Sequence, residues 1–342
     1  MTGVQTCALP ILLSVAIVVA LAGYLPGVFV GLVLATATFV VTYSKLRIIR
    51  RELSGRELRS SVERGGEERA WLDQHGTSLR VLKLEGFLFF GTAHALLSRV
   101  RLFLSQESVE FVVLDFSSVS AMDSSAAKVV DRIAVTCHQH HCELRLVNAN
   151  PKVASSLQAA LASNPGPAVP FDQDLDLALE YCEQGLLDRR QDRFRSAKEE
   201  VWHHLFPGLP PEQIAAMTGF MRERQFAPHE YLMKEGEPSD GLFMVTEGRV
   251  AILLTTESGH QVRVRSMAPG TLIGEVGVVL GESRTASAQA EGPCRAWWLG
   301  SAAFTEMASA APELHRALVQ SIVRLLAERL ATTNRLLERV AQ

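Results

Sequence analysis

The chain has 342 residues and a net charge of −3 at pH 7, which leaves room for two or three domains. The slightly acidic balance excludes a globally basic nucleic-acid binder, so we expect no nucleic-acid partner. Five cysteines without a Cys-x-x-Cys pair argue against a disulfide framework or a zinc ribbon, and we predict neither a metal site nor a cofactor.

The N-terminal end is almost free of charge. We interpret residues 1–11, MTGVQTCALPI, as a sequencing artefact that stands in place of a longer natural N-terminus. Residues 12–44 are nearly all apolar, small or hydroxylated, and a helix of that length exceeds a bilayer crossing of about 30 Å. Because glycines and a proline interrupt residues 23–27, we predict the remnant of truncated transmembrane helices at 12–44, with the lipid bilayer as a partner.

Basic residues follow the apolar run directly: Lys45, Arg47, Arg50, Arg51, Arg56, Arg59 and Arg64. By the positive-inside rule, this order places everything downstream in the cytoplasm. A secretory signal peptide is the competing interpretation, but its basic residues would precede the apolar run. We predict that residues 45–78 form a juxtamembrane linker.

Residues 79–187 change to short apolar runs that alternate with amphipathic segments, which is typical of a small α/β domain with a mixed sheet. Strands are predicted at 79–84, 109–115 and 143–147, and helices at 93–105, 124–138 and 151–162. Asp123, with Ser124 and Ser125, opens the middle helix, where a carboxylate or hydroxyl can cap free N–H groups.

Two strings in this segment, Leu-Glu-Gly-Phe-Leu-Phe-Phe-Gly-Thr-Ala at 84–93 and Leu-Asp-Phe-Ser-Ser-Val-Ser-Ala-Met-Asp-Ser-Ser at 114–125, resemble the STAS domain. The Phe-Phe-Gly-Thr-Ala string is more typical of the STAS domains of SulP anion transporters than of anti-sigma-factor antagonists. In the antagonists, the serine at the position of Ser124 is phosphorylated. This chain has Ala126 where that motif usually has glycine, so capping and phosphorylation of Ser124 both remain open.

A charged run suggests a linker helix over residues 188–211, and residues 212–342 alternate strands and turn signals before a final helix. Within this last region, residues 270–288 combine four glycines with one carboxylate, Glu275, and one guanidinium, Arg284. Glycines allow main-chain N–H groups to approach an anion closely. Arg284 can fork onto phosphate oxygens and Glu275 can accept from a sugar hydroxyl.

The strings Gly-Glu-Val-Gly at 274–277 and Arg-Thr-Ala at 284–286 resemble the phosphate-binding cassette of cyclic-nucleotide-binding domains. The resemblance implies an α+β β-roll with flanking helices. It also implies that Glu275 binds the ribose 2′-hydroxyl, that Arg284 binds the cyclic phosphate, and that the backbone at Gly274 and Ala286 completes the cradle. Thr285 stands where a hydroxyl in relatives can favour guanine, so cAMP and cGMP both remain candidate ligands.

The apolar stripe of residues 312–342 predicts a C-terminal helix that serves as a lid or pairs with another copy of the chain. Together these features resemble the C-terminal part of a SulP family inorganic anion transporter with a STAS domain and a cyclic-nucleotide-binding domain. We therefore expect a non-enzymatic, cytoplasmic regulatory region in which a cyclic nucleotide modulates sulfate- or bicarbonate-like transport through the STAS domain. The full protein would be a multi-pass protein of the inner (cytoplasmic) membrane, homodimeric, with its missing transport domain as a partner.

Two alternatives stay open. In the first, the region is a constitutive dimerisation module whose β-roll binds no nucleotide. In the second, the STAS domain is a phospho-switch that acts through Ser124.

Overall fold

The computed structural model describes residues 5–44, 48–106, 108–163, 166–189 and 197–340. Its helices are α1 (Gln5–Ala22), α2 (Tyr24–Ser44), α3 (Gly66–His75), α4 (Phe90–Gln106), α5 (Ser124–Gln139), α6 (Pro151–Ala162), α7 (Leu175–Asp188), α8 (Ala197–Leu205), α9 (Pro211–Thr218), α10 (Glu275–Leu280), α11 (Ser301–Ala310) and α12 (Pro312–Val340). The strands of the amino-terminal half are β1 (Ile49–Ser54), β2 (Val62–Glu63), β3 (Leu79–Leu88), β4 (Phe111–Met122), β5 (Glu143–Val147) and β6 (Phe171–Asp172). The remaining strands are β7 (Arg222–Phe226), β8 (Tyr231–Met233), β9 (Gly241–Glu247), β10 (Val250–Thr255), β11 (Gln261–Met267), β12 (Thr271–Ile273), β13 (Ser287–Ala290) and β14 (Cys294–Gly300).

The chain divides into two compact units that interleave in sequence. The first unit comprises Met1–Leu58 and Gly76–Ala178, and the second comprises Arg59–His75 and Leu179–Gln342. Residues 1–4 of the predicted artefact, and residues 190–196 of the predicted linker helix, lie outside the described residues.

The first unit begins with a pair of helices that pack closely. The chain turns at Gly23, whose φ of +95° suits glycine, so the predicted interruption lies there and α2 continues through residues 24–27. A Cβ atom at Gly27 would collide with Val19, and one at Gly31 would lie 2.9 Å from Val15, so the two helices run antiparallel with glycine at the contact. Within the described residues, no helix combines the length and apolar character needed to cross a bilayer, and the predicted transmembrane helices are not confirmed.

A five-stranded sheet of order β1-β3-β4-β5-β6, together with α4, α5 and α6, forms most of the rest of the first unit. β3, β4, β5 and β6 pair in parallel, and β1 adds an antiparallel edge. The sheet is therefore mixed, as predicted. The first six residues of the inner strand β4, from Phe111 to Phe116, are all buried, as expected of a parallel strand covered on both faces.

The predicted elements of this unit are present. β5 and α6 begin and end where the sequence predicts, β3, α4 and α5 are longer than predicted, and β4 begins and ends later than predicted. Asp123 is the N-cap of α5 and accepts a hydrogen bond of 2.6 Å from the Ala126 N–H, so the predicted cap is confirmed. Asn150 caps α6 in the same way.

The second unit is a β-roll of two sheets with flanking helices. One sheet has the order β2-β11-β10-β13-β8 and the other β12-β9-β14-β7. Buried apolar residues of both sheets form one core, and a second core joins β9, β12 and β14 to the helices through residues such as Leu318 and Ile322 of α12. The predicted C-terminal helix is thus α12, and its N-terminal half packs on the β-roll.

The segment predicted to be a juxtamembrane linker contains regular structure instead. β1 pairs with β3 of the first unit, while β2 pairs in parallel with β11 of the second, with Val62 opposite Ser266 and Glu63 opposite Met267. We call residues Arg59–His75 the strap. The strap belongs to the second unit, although the residues before and after it in sequence belong to the first. Its strand β2 is hydrogen-bonded to β11 of the second unit.

Candidate functional site

A cavity of about 420 Å³ lies in the second unit and is lined by residues of the predicted cassette. This volume falls within the range of about 300–1,000 Å³ that is usual for small-molecule sites. Its lining includes all five residues predicted to contact a ligand: Gly274, Glu275, Arg284, Thr285 and Ala286. The structure therefore brings the two halves of the cassette together around one space.

Arg284 is fixed at the cavity by two partners. Its side chain is 2% exposed; Nη1 donates to the Gly274 carbonyl at 3.1 Å and Nη2 donates to Asp240 Oδ1 at 2.7 Å. The Asp240 side chain is 64% exposed, so water also solvates this carboxylate. The guanidinium is thus oriented in advance, which reduces the conformational entropy that an anionic ligand would have to remove.

Gly274 is required by this arrangement. Its φ is +85°, in the left-handed region that glycine adopts at little cost. A Cβ atom at this position would collide with Nη1 of Arg284. The glycine therefore permits both the turn into α10 and the close approach of the guanidinium.

Glu275, the predicted ribose-binding residue, is buried and already paired. Its side chain is 4% exposed and forms an ion pair with Arg329 of α12. Arg329 Nε also donates to both carboxylate oxygens of Glu63, at 2.9 and 2.8 Å, and Nη2 donates to the Leu272 carbonyl at 2.7 Å. Burial opposes the charge of Arg329, but the carboxylates of Glu275 and Glu63 outweigh it and raise its pKa above the usual value.

The remaining wall of the cavity is apolar. It is formed by Met233, Ile252, Leu254 and Val264, with Thr285 and Ala286 at the cassette side. Leu254 and Val264 are 40% and 43% exposed, which leaves an apolar surface beside the polar cassette. A ligand that carries an anionic group, a sugar hydroxyl and a flat ring would match these three regions.

Three polar side chains at the site were not foreseen from the sequence. Arg329 and Arg265 line the cavity, and Asp240 holds Arg284. Asp240 is 44 residues from Arg284 along the chain, and Arg329 is 54 from Glu275. No local pattern distinguished Arg329 from the other arginines of α12, such as Arg316 and Arg324.

Ser124 lies in the first unit and is exposed at the first turn of α5. The cap contact is made by the neighbouring Asp123, so the Ser124 hydroxyl is not needed for it. Capping by Asp123 and phosphorylation of Ser124 are therefore compatible. Phosphorylation at this position stays a prediction.

The first unit is an α/β domain with a mixed sheet. The second unit is a β-roll with a ligand-sized cavity, and the arginine that lines this cavity is held in one orientation. Residues 72–164 match the STAS domain family, and residues 223–311 match the cyclic nucleotide-binding domain family. The chain contains one domain of each kind.

Two named relatives match different shares of the chain. The chain is 30% identical over 186 residues to a vacuolar basic amino acid transporter of Saccharomyces cerevisiae, a match that covers 51% of this chain and 18% of the relative. It is 25% identical over 280 residues to glutaminase 2 of Bradyrhizobium diazoefficiens, covering 80% of this chain and 43% of the relative. The chain thus spans less than half the length of either relative.

Solved structures are similar to part of the chain. The N-terminal domain of a transcriptional regulator from Streptomyces coelicolor is 30% identical, covers 38% of this chain and 94% of its own, and gives a TM-score of 0.34. A cyclic nucleotide-binding domain from Methylobacillus flagellatus is 23% identical, covers 43% of this chain and 84% of its own, and gives a TM-score of 0.39.

Proposed function

We propose that the chain is a regulatory region whose β-roll binds a cyclic nucleotide, cAMP or cGMP, in the cassette cavity. The observation that carries this proposal is the convergence of a buried arginine, a buried carboxylate and an apolar wall on one cavity of about 420 Å³. Arg284 would bind the cyclic phosphate, Glu275 would accept from the ribose 2′-hydroxyl, and the wall around Leu254 and Val264 would cover the base.

Thermal stabilisation of the purified chain by each nucleotide tests this proposal. A ligand that binds only the folded state raises the unfolding temperature by mass action. We expect stabilisation of the wild type, and its loss in Arg284→Ala, because two charge-assisted hydrogen bonds contribute about 3 kcal/mol or more, or a factor of about 100 in affinity. Arg295→Ala removes a partly buried arginine outside the cavity lining and should respond like the wild type.

A failure would separate the alternatives. If neither nucleotide stabilises the wild type, the β-roll is an assembly element that binds no nucleotide, as in the dimerisation hypothesis. If stabilisation persists in Arg284→Ala, the nucleotide binds elsewhere. A phospho-switch at Ser124 would instead be revealed by phosphate on that residue in chain purified from its source cells.

For the whole protein, we propose the C-terminal regulatory region of a SulP-type anion transporter, with the STAS domain passing the nucleotide signal to a transport domain in the inner membrane. The Phe-Phe-Gly-Thr-Ala string at 89–93 and the 186-residue similarity to a vacuolar transporter support this proposal. Both domains would then lie in the cytoplasm, beside the bilayer and the missing transport domain.

A second candidate is the regulatory region of an enzyme. The 280-residue similarity to glutaminase 2 covers 80% of this chain, and so extends over both domains. Sequencing the gene upstream of codon 12 separates the two candidates. A transport domain encoded there supports the transporter, whereas an amidohydrolase domain supports the enzyme and overturns the transporter.

A further inference from the structure

The strap is attached to the second unit around the ligand cavity. Glu63 of β2 accepts from Arg265 Nη1 at 2.9 Å as well as from Arg329, and Arg265 and Arg329 both line the cavity. The Ala268 N–H donates to the Glu63 carbonyl at 2.9 Å. The strap therefore meets the cavity through shared arginines.

Two consecutive residues of α12 hold the strap. Glu328 pairs with Arg69 at 3.2 Å, and Arg329 pairs with Glu63 at 2.8 Å. A displacement of α12 at this point would disturb both contacts. On both sides of Glu63 the strap also has contacts that do not involve α12, because Glu183 accepts from the Ser60 N–H and from Arg64 Nε.

Arg329 also stands where the ligand would bind. Its guanidinium lines the cavity and is bonded to Glu275, the carboxylate proposed to receive the ribose hydroxyl. A hydroxyl docking on Glu275 must take over space and hydrogen-bonding capacity that the guanidinium occupies. Since Arg329 divides its donors between Glu275 and Glu63, a change at one carboxylate alters the contact with the other.

We infer that Arg329 is a latch: it holds the strap on the β-roll through Glu63, and a nucleotide that engages Glu275 displaces it and loosens the strap. The inference rests on the proposed function and adds the structural change that nucleotide binding would cause. The strap lies in sequence between β1 and β3, two paired strands of the first unit, so loosening it frees the chain segment that connects these strands. By linkage, whatever loosens the strap tightens nucleotide binding by the same factor.

Hydrogen–deuterium exchange of the whole chain tests the latch. With saturating nucleotide, peptides covering residues 62–69 should exchange about tenfold faster, while cassette peptides covering 274–286 exchange more slowly. These opposite signs distinguish a latch from general stiffening on binding. Unchanged or slower exchange in the strap, with the cassette protected, would overturn the latch and leave the proposed function intact.

Arg329→Met tests it without any ligand. Its strap should exchange as fast as that of the saturated wild type, and its nucleotide affinity should be about tenfold tighter, or about 1.4 kcal/mol. Arg316→Met, which removes an exposed arginine from the same helix, should match the wild type in both measurements. Equal or weaker nucleotide binding by Arg329→Met, or a strap that remains protected, would overturn the inference.

A second variant addresses folding defects in Arg329→Met. Glu63→Gln keeps the pair between Arg329 and Glu275 and should also loosen the strap, which then no longer responds to nucleotide. A nucleotide-dependent strap in this variant would contradict the latch. If no nucleotide binds to any variant, the proposed function fails, and the latch fails with it.

Discussion

Arg284 is a cation held in place before any ligand arrives, and Gly274 is the residue that makes room for it. The backbone of Gly274 is in the left-handed region and its Cα faces the guanidinium. These two constraints act on one position, so a single methyl group tests the geometry of the cassette.

Gly274→Ala is expected to destabilise the second unit by about 1–3 kcal/mol through backbone strain and to weaken nucleotide binding through displacement of Arg284. Urea unfolding and nucleotide titration measure the two effects. Gly259→Ala is the matched control, because Gly259 has a φ of +80° but nothing within 4 Å of a new Cβ. It should lower stability to a similar degree and leave nucleotide binding unchanged; equal binding in both variants would contradict the proposed contact.

His204 gives the second unit a pH dependence. Burial, and then the positive charge of Arg324, lower its pKa below the usual 6.5, against the weaker opposing effects of Glu328 and Glu67. The Gly66 N–H donates to the imidazole, at 2.9 Å from Nε2, a bond that a protonated ring cannot accept. Protonation therefore favours the unfolded chain.

The free energy of unfolding should consequently fall as the pH drops below about 6.5 and level off above it, because the unfolded state binds the proton more tightly. Unfolding in urea at pH 5.5 and 7.5 measures this change. His204→Gln should reduce the difference between the two pH values. An undiminished difference would assign the pH dependence to other groups.

At the scale of elements, the start of α5 places the capping residue Asp123 next to Ser124, the predicted phosphorylation site. Asp123→Ala should destabilise the first unit by about 0.5–2 kcal/mol, because the Ala126 N–H loses its acceptor. Ser124→Ala should change stability by less than about 0.5 kcal/mol, as expected of an exposed position. Thermal unfolding of both variants checks this contrast. A larger loss of stability in Ser124→Ala would indicate that the Ser124 hydroxyl, and not the Asp123 carboxylate, caps the helix.

The helix α12 is anchored by its buried stripe and leaves other positions exposed. Leu318→Ala should cost about 2–5 kcal/mol, since Leu318 is fully buried in the helical core. Val323→Ala is the control, because Val323 is 60% exposed on the same helix. Comparable losses in the two variants would mean that α12 does not pack on the roll as described.

The elements that sequence patterns predicted are those built from local signals. α6 has a proline and an asparagine cap at its start, and the apolar run of β5 is bounded by turns, so their ends follow from neighbouring residues. β2 is only two residues long and pairs with β11 about 200 residues later, which no local periodicity can reveal. For the same reason, the linker prediction for residues 45–78 differs from the structure.

The residues of the candidate site differ in the same way, because a local motif predicted some of them and not others. Glu275 and Arg284 were predicted because a short glycine-rich motif carries both, and the structure places both on the cavity. Arg329 joins them only through the packing of α12. α7 and α11 were also missed, since neither carried a motif that distinguished it from its surroundings.

At the scale of the whole molecule, the strap lies in sequence between two strands of the first unit, β1 and β3, and its own strand β2 pairs with β11 of the β-roll. A fragment that begins at residue 188 would lack the strap and the Glu63 carboxylate, and would therefore misreport both affinity and stability. Measurements of binding should use the whole chain.

Calorimetric titration of the purified chain with cAMP and, separately, with cGMP tests the central claim most directly. We expect one nucleotide bound per chain, with the binding heat lost in Arg284→Ala and retained in Arg295→Ala. The nucleotide that binds more tightly identifies the ligand. Absence of heat and of thermal stabilisation with both nucleotides, in a folded wild-type chain, would contradict the proposal that the β-roll is a cyclic-nucleotide sensor.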